Sequence, residues 1–156
     1  MRVTQHLWFE KDMEAAIRFY AALIPGSAVE WISAIPADMP SGPAGSVKLA
    51  GFTLGDQRYM AIEAGKLDPF NHSFSIIVGC DSQAEIDRLW EALSEGGTVE
   101  QCGWLKDRWG LSWQITPTRL GELMSDKDPQ AARRVTEAML KMVKFDIAAL
   151  EAAARG

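Results

Sequence analysis

Histidine, cysteine and tyrosine are scarce in this sequence, with two of each among 156 residues. Two histidines, His6 and His72, supply neither a zincin motif nor a credible Ser-His-Asp arrangement. Cys80 and Cys102 stand in no motif spacing. That excludes a disulfide framework and a thiolate zinc site, and it predicts free thiols in a reducing compartment. Basic residues are outnumbered as well, since 16 Lys and Arg face 21 Asp and Glu for a net charge of −5. Nucleic acid, which demands a concentrated basic surface, is not an expected partner. The local basic stretch of Arg133, Arg134, Lys141 and Lys144 reads as a solvated helix face. No apolar run approaches the roughly twenty residues that cross a bilayer, so no membrane partner is expected. Met1 leads into an alternating segment carrying Gln5 and His6 rather than into a secretory leader, and the expected location is cytoplasmic. Nucleotide-binding glycine patterns are absent too. Gly96-Gly97 follows a helical pattern instead of opening one, and no helix follows Gly42 to Gly45.

What is present is ordinary in amount and unusual in arrangement. A hydrophobic fraction of 47% and a charged fraction of 24% suit one globular domain. Val3 to Phe9 alternates as a strand, and Asp12 is placed to cap a helix through Leu23 with Ala16, Phe19, Tyr20 and Leu23 on its apolar stripe. Strands are predicted over 28–35, 47–54 and 58–64, with a Pro- and Gly-rich loop over 36–45 and a turn at Gly55-Asp56. The order then recurs. Ser73 to Cys80 reads as a strand, Ser82 and Glu85 form a capping box for a helix to Leu93, and 99–105 and 111–116 read as strands. Within the recurrence Arg18 falls on Arg88, Tyr20 on Trp90, Leu23 on Leu93 and Gly26 on Gly96, a constant offset of seventy. Two copies are too few for a solenoid and predict a pseudo-symmetric domain. The predicted fold class is α+β, with module one at about 1–66, module two at about 71–117 and a helical tail at about 118–156. In the tail, Asp128-Pro129 starts a helix with the stripe Val135, Met139, Met142 and Val143, and Asp146 caps a last helix near Arg155.

Paired βαβββ modules with these strings resemble the vicinal oxygen chelate superfamily, the glyoxalase/bleomycin-resistance fold. His6-Leu7-Trp8-Phe9, Ile17-Arg18-Phe19-Tyr20, Cys80 to Glu85, Gly103 to Asp107 and Gly110 to Pro117 are similar to its PhnB-like branch, often labelled 3-demethylubiquinone-9 3-methyltransferase. The resemblance extends into the tail at Phe145 to Leu150. It implies a curved mixed sheet with a cleft, a C-terminal helical extension and a homodimer, the last also suggested by the apolar stripe of the tail. It further implies a divalent metal held by the first and last strands of each module, at Gln5, Glu63, Ser75 and Gln114.

That set is weak for a transition metal, because Glu63 alone is anionic. No cofactor is therefore expected, and a divalent metal is possible but disfavoured. Glu63 is the one candidate for a general base or a charged ligand contact, set against a carboxylate solvated or paired at a strand end. Gln5, Leu7, Phe9, Tyr59, Ser75, Ile77, Ser112 and Gln114 are the expected lining of the cleft, and alternation places His6 and Trp8 on the face under the helices. Trp104, Trp109 and Trp113 cluster near the last hairpin, either lining an aromatic pocket or packing in the core. The expected function is binding of a small molecule at an altered metal site. The alternative is a divergent metal-dependent lyase, isomerase or dioxygenase-like enzyme. Methyl transfer has no supporting motif.

Overall fold

The computed structural model describes Met1 and residues 3–156, and the chain divides into two compact units, Met1–Asp68 and Pro69–Gly156. Unit 1 contains β1 (Gln5–Phe9), α1 (Met13–Leu23), β2 (Ala28–Ala34), β3 (Lys48–Leu54) and β4 (Gln57–Glu63). Its sheet has the order β1-β4-β3-β2, parallel between β1 and β4 and antiparallel elsewhere. One face is apolar because every second residue of β1, β3 and β4 is: Leu7, Phe9, Ala50, Phe52, Tyr59 and Ala61 are all buried. Met13, Ala16, Ile17 and Tyr20 of α1 are buried with them, each fully covered large side chain contributing about 1.5–3 kcal/mol.

Unit 2 repeats the plan with β5 (Ser75–Cys80), α2 (Gln83–Ser94), β6 (Thr98–Val99), β7 (Trp104–Lys106) and β8 (Ser112–Pro117), in the sheet order β5-β8-β7-β6. Its core is Ile76, Cys80, Leu105, Trp113 and Ile115 with Ile86, Leu89 and Leu93 of α2. The strand expected over 99–105 is two strands, because Gln101 to Gly103 turn, with Cys102 and Gly103 both left-handed at φ 55° and 78°. Asp107 organises the β7–β8 hairpin. This buried carboxylate accepts from the backbone N–H of Trp109 and Leu111 (2.9 and 3.1 Å) and from Trp113 Nε1 (2.8 Å).

Three helices follow: α3 (Leu120–Met124), which the sequence pattern did not predict, α4 (Pro129–Met139) and α5 (Ile147–Arg155). Asp128 and Asp146 cap the last two by accepting from Gln130 N–H and Ala149 N–H. The expected stripe through Met142 and Val143 is not helical. α4 stops at Met139, and the link beyond it accepts backbone bonds from Cys102 (to Met142 O, 2.8 Å) and Gly103 (to Val143 O, 2.7 Å). Gly103 is required there, since a Cβ would lie 2.4 Å from the ring of buried Phe145. Gln83 fastens the same segment by donating to Phe145 O and accepting from Ile147 N–H.

Candidate functional site

Strand register decides which side chains can form a site in each unit. In unit 1, Gln5, Leu7 and Phe9 lie opposite Tyr59, Ala61 and Glu63, and these opposite Phe52, Ala50 and Lys48. That face lies beneath α1, since Glu63 Oε2 accepts the N–H of Met13, the first residue of the helix, at 2.9 Å. Leu7, Phe9 and Tyr59 are therefore core residues rather than the expected lining of an open cleft. Burial also pushes the Tyr59 phenol upward, and its ring stacks on Phe52 at 5.3 Å. Thr4, His6 and Trp8 occupy the face away from α1, the reverse of the sequence expectation.

The reversal has a simple cause. β1 ends at Phe9 and the helix cap position is Asp12, whereas β5 ends at Cys80 and its cap is Ser82. The first connection is one residue longer, so the helices match at an offset of seventy while the strand ends match at seventy-one. A slip of one residue moves every side chain of a strand to the other face.

On that exposed face of unit 1 lies a cavity of about 470 Å³. Its floor is Gly51 and Met60, its sides carry Val3, Thr4, Glu30 and Arg58, and Tyr59 also contributes to the lining. Trp31 covers one end, in register with Gly51 across the β2–β3 pair. A Cβ on Gly51 would come within 2.4 Å of Trp31 Nε1 and 2.7 Å of Cε2, so the indole is seated directly over the glycine. The residue is still 42% exposed. β2 shifts register between Val29 and Trp31, which leaves Glu30 without a cross-strand partner. Arg58 has no carboxylate within ion-pair distance among the described residues. Apart from Tyr59, these residues were not singled out in the sequence. The available signal was Gly51, a glycine inside a strand pattern, which marks close approach by another group.

In unit 2 the structure brings Ser75, Ser112 and Gln114 together. Gln114 Nε2 donates to Ser75 Oγ at 2.9 Å, and Ser75 lies opposite Ser112. Ser112 is fully buried and its Oγ has no hydrogen-bond partner among the described residues. Ile77, in register with Gln114, is 62% exposed. His72 Nε2 meets Glu100 Oε2 at 2.7 Å, and its ring lies 5.7 Å from that of Trp104. Trp113 is core, bonded to Asp107, while Trp109 carries the Arg108 guanidinium 5.3 Å from its ring centre. Burial pushes the Cys80 thiol up to about 11, so it is no nucleophile at neutral pH.

Gln5 and Glu63 are not brought together. Four residues of parallel register separate them, roughly 13 Å along the strands. Both Glu63 oxygens are engaged, Oε2 with Met13 N–H and Oε1 with Lys48 Nζ at 3.4 Å. Among the described residues, no group of three or more His, Cys, Asp or Glu side chains is placed to hold a metal ion, and no helix is long and apolar enough to cross a membrane.

Comparison with known proteins gives these features a context. A family model described as 3-demethylubiquinone-9 3-methyltransferase matches residues 1–116. The PhnB protein of Bacillus cereus is 31% identical over 76% of this chain and 100% of its own, with a TM-score of 0.67. A Pseudomonas aeruginosa protein is 25% identical over 75% of this chain and 97% of its own, with a TM-score of 0.57. The fosfomycin resistance protein FosX of Mesorhizobium loti shares the fold at 13% identity, with 81% and 98% of the two chains covered and a TM-score of 0.56. No curated protein matches. The family match stops at residue 116, before α3, so the tail lies outside it, although the sequence resemblance was drawn through it.

Proposed function

The chain belongs to the family described as 3-demethylubiquinone-9 3-methyltransferase, the PhnB-like branch of the glyoxalase/bleomycin-resistance superfamily, and we propose that it is a small-molecule-binding protein with an altered metal site. The observation that carries this reading is the unit 1 cavity, whose volume of about 470 Å³ falls in the range of small-ligand sites. Its lining is of the matching kind: an aromatic platform, a thioether and a few polar groups. The donors Gln5, Glu63, Ser75 and Gln114 do not fit a transition metal. Glu63 is committed to a helix N-terminus and a lysine, and Gln114 and Ser75 are bonded to each other. A metal would have to displace all of these contacts to gain one carboxylate and three neutral donors. No chemical step is therefore routed through a metal.

Methyl transfer is not part of the proposal despite the family's description. Each unit's sheet joins one parallel pair to antiparallel strands, and no glycine-rich turn leads from a strand into a helix as in dinucleotide-type cofactor sites. The reading also holds that the protein works in the cytoplasm as a homodimer, which light scattering during gel filtration tests.

The decisive measurement uses protein purified without a chelating tag, followed by elemental analysis and native mass spectrometry. The expected result is substoichiometric metal that Glu63→Gln leaves unchanged, together with an organic ligand whose retention falls in Trp31→Ala. Stoichiometric Mn, Fe, Ni or Zn that disappears in Glu63→Gln overturns the binding reading in favour of a metal-dependent lyase, isomerase or dioxygenase-like enzyme.

A further inference from the structure

The unit 1 cavity has a polarity along its length, and from it we infer the class of ligand: a flat aromatic or heteroaromatic acid, its ring on Trp31 and its carboxylate on Arg58. The inference rests on the binding reading above and goes one step further, to substrate chemistry.

Cross-strand register supplies the geometry. Trp31, Gly51 and Met60 form one row across β2, β3 and β4, and Thr53 and Arg58 form the next row on the same face. Rows on one face of a sheet are two residues apart, about 7 Å. A carboxylate on a two-ring aromatic stands less far than that from the ring centre, so the long side chain of Arg58 reaches across the remainder to meet it. The Trp31 indole has one face occupied by Gly51 and remains partly exposed, beside the thioether of Met60. Aromatic and thioether surfaces suit a flat apolar ring. One row away, the Arg58 guanidinium presents a planar fork of donors that matches a carboxylate. It has no carboxylate partner in the described residues, and the Thr4 hydroxyl shares the cavity as a second donor.

Glu30 also lines the cavity and would favour a cation over the same indole. The backbone decides against it. Arg58 stands on β4, paired with Thr53 of β3 and next to the start of the β1 ladder at Tyr59, whereas Glu30 stands at the irregular point of the edge strand β2. A cation on a regularly paired backbone position is placed for a ligand more reproducibly than a carboxylate on an unpaired one.

Three matched probes test the assignment: 2-naphthoate, 2-naphthamide and 2-naphthylmethylammonium. Each is titrated into the full chain while the Trp31 indole N–H and Gly51 amide resonances are followed, with Trp31→Ala, Arg58→Gln and Glu30→Gln as variants. The expected result is that naphthoate binds about tenfold more tightly than the amide. That preference disappears in Arg58→Gln and survives Glu30→Gln, and all three probes weaken in Trp31→Ala. Equal affinity for acid and amide overturns the ligand class, as does an ammonium preference lost in Glu30→Gln, while either leaves the binding site standing. If no probe shifts Trp31 or Gly51 at millimolar concentration, the site itself is wrong and both readings fall. Dispersed amide spectra of each variant separate a lost contact from a lost fold.

Discussion

The two units start their first helices by different means, and the contrast explains why one sequence repeat carries two different surfaces. In unit 2 the start is local: Ser82 Oγ accepts from Glu85 N–H, and the Glu85 carboxylate accepts from Ser82 N–H, closing a capping box within four residues. In unit 1 the cap position Asp12 is left-handed at φ 61° and its side chain caps nothing. The helix N–H of Met13 is met instead by Glu63, 50 residues away on β4. A local cap leaves the sheet out of the transaction. A distant one recruits the strand end, and with it Glu63, the one anion of the four positions that the resemblance implied. The extra residue before α1 and the engagement of Glu63 thus go together with a β1 whose Thr4, His6 and Trp8 lie on the face away from α1.

The hairpins contrast in the same way and give the largest expected effect. The β7–β8 hairpin is held by the buried Asp107 carboxylate, while the β3–β4 turn carries Asp56 exposed, bonded only to Gln57 Nε2. Asp107→Ala leaves three donors without their acceptor and should cost about 4 kcal/mol. Asp56→Ala should stay within about 0.5 kcal/mol. Urea unfolding of both variants measures the difference, and equal costs would remove the claim that the hairpin aspartate matters in unit 2 and not in unit 1. Should Asp107→Ala fail to fold, Asp107→Asn provides the measurement. Its amide retains an oxygen for the backbone donors but turns a donor toward Trp113 Nε1, so an intermediate loss is expected.

Much of this was legible from residues alone. The capping box, the Asp128-Pro129 start, the turn at Gly55-Asp56 and the strand–helix–strand order of both modules are local signals, and each sits where its residues predicted. The site was less legible because it depends on relations between segments. The resemblance put Gln5 and Glu63 in a cleft, and the offset of seventy agreed at Ser75 because one extra connecting residue leaves no trace among helix residues. Alternation then carried Leu7, Phe9 and Tyr59 onto the same face, which the structure buries. The cavity was missed because Trp31, Gly51 and Met60 come from three strands whose pairing no single segment announces. The helix predicted to continue through Val143 failed for a related reason: its last turn is replaced by backbone bonds from Cys102 and Gly103, some forty residues upstream.

A smaller pair of substitutions sharpens the capping contrast. Ser82→Ala removes one half of a reciprocal box and should cost about 1 kcal/mol. Glu63→Ala removes an acceptor and a negative charge from the start of α1, and a similar loss of about 1 kcal/mol is expected. Glu63→Gln separates the capping role from a ligand role, since the amide oxygen still accepts from Met13 while the attraction to Lys48 is lost. Its cost should be within about 0.5 kcal/mol, the value of an exposed pair. Thermal unfolding of the three variants against the parent ranks them. A Glu63→Gln loss as large as that of Glu63→Ala would mean that charge, and not the hydrogen bond, is what α1 needs.

The smallest effect carries the opposite sign. Asp12 holds φ 61° without using its side chain, so the backbone bears the strain of a left-handed residue with no compensating cap bond. Glycine adopts that conformation without a Cβ clash, though it also adds freedom to the unfolded chain. Asp12→Gly should therefore be neutral to stabilising, by up to about 0.5 kcal/mol, whereas Ser82→Gly, at φ −139° with its hydroxyl engaged, gains nothing and loses a bond. The same substitution at equivalent helix starts thus moves stability in opposite directions. If Asp12→Gly proves as costly as Ser82→Gly in urea unfolding, the carboxylate of Asp12 must be stabilising α1 after all, and the two units would start their helices by more similar means than their bonds indicate.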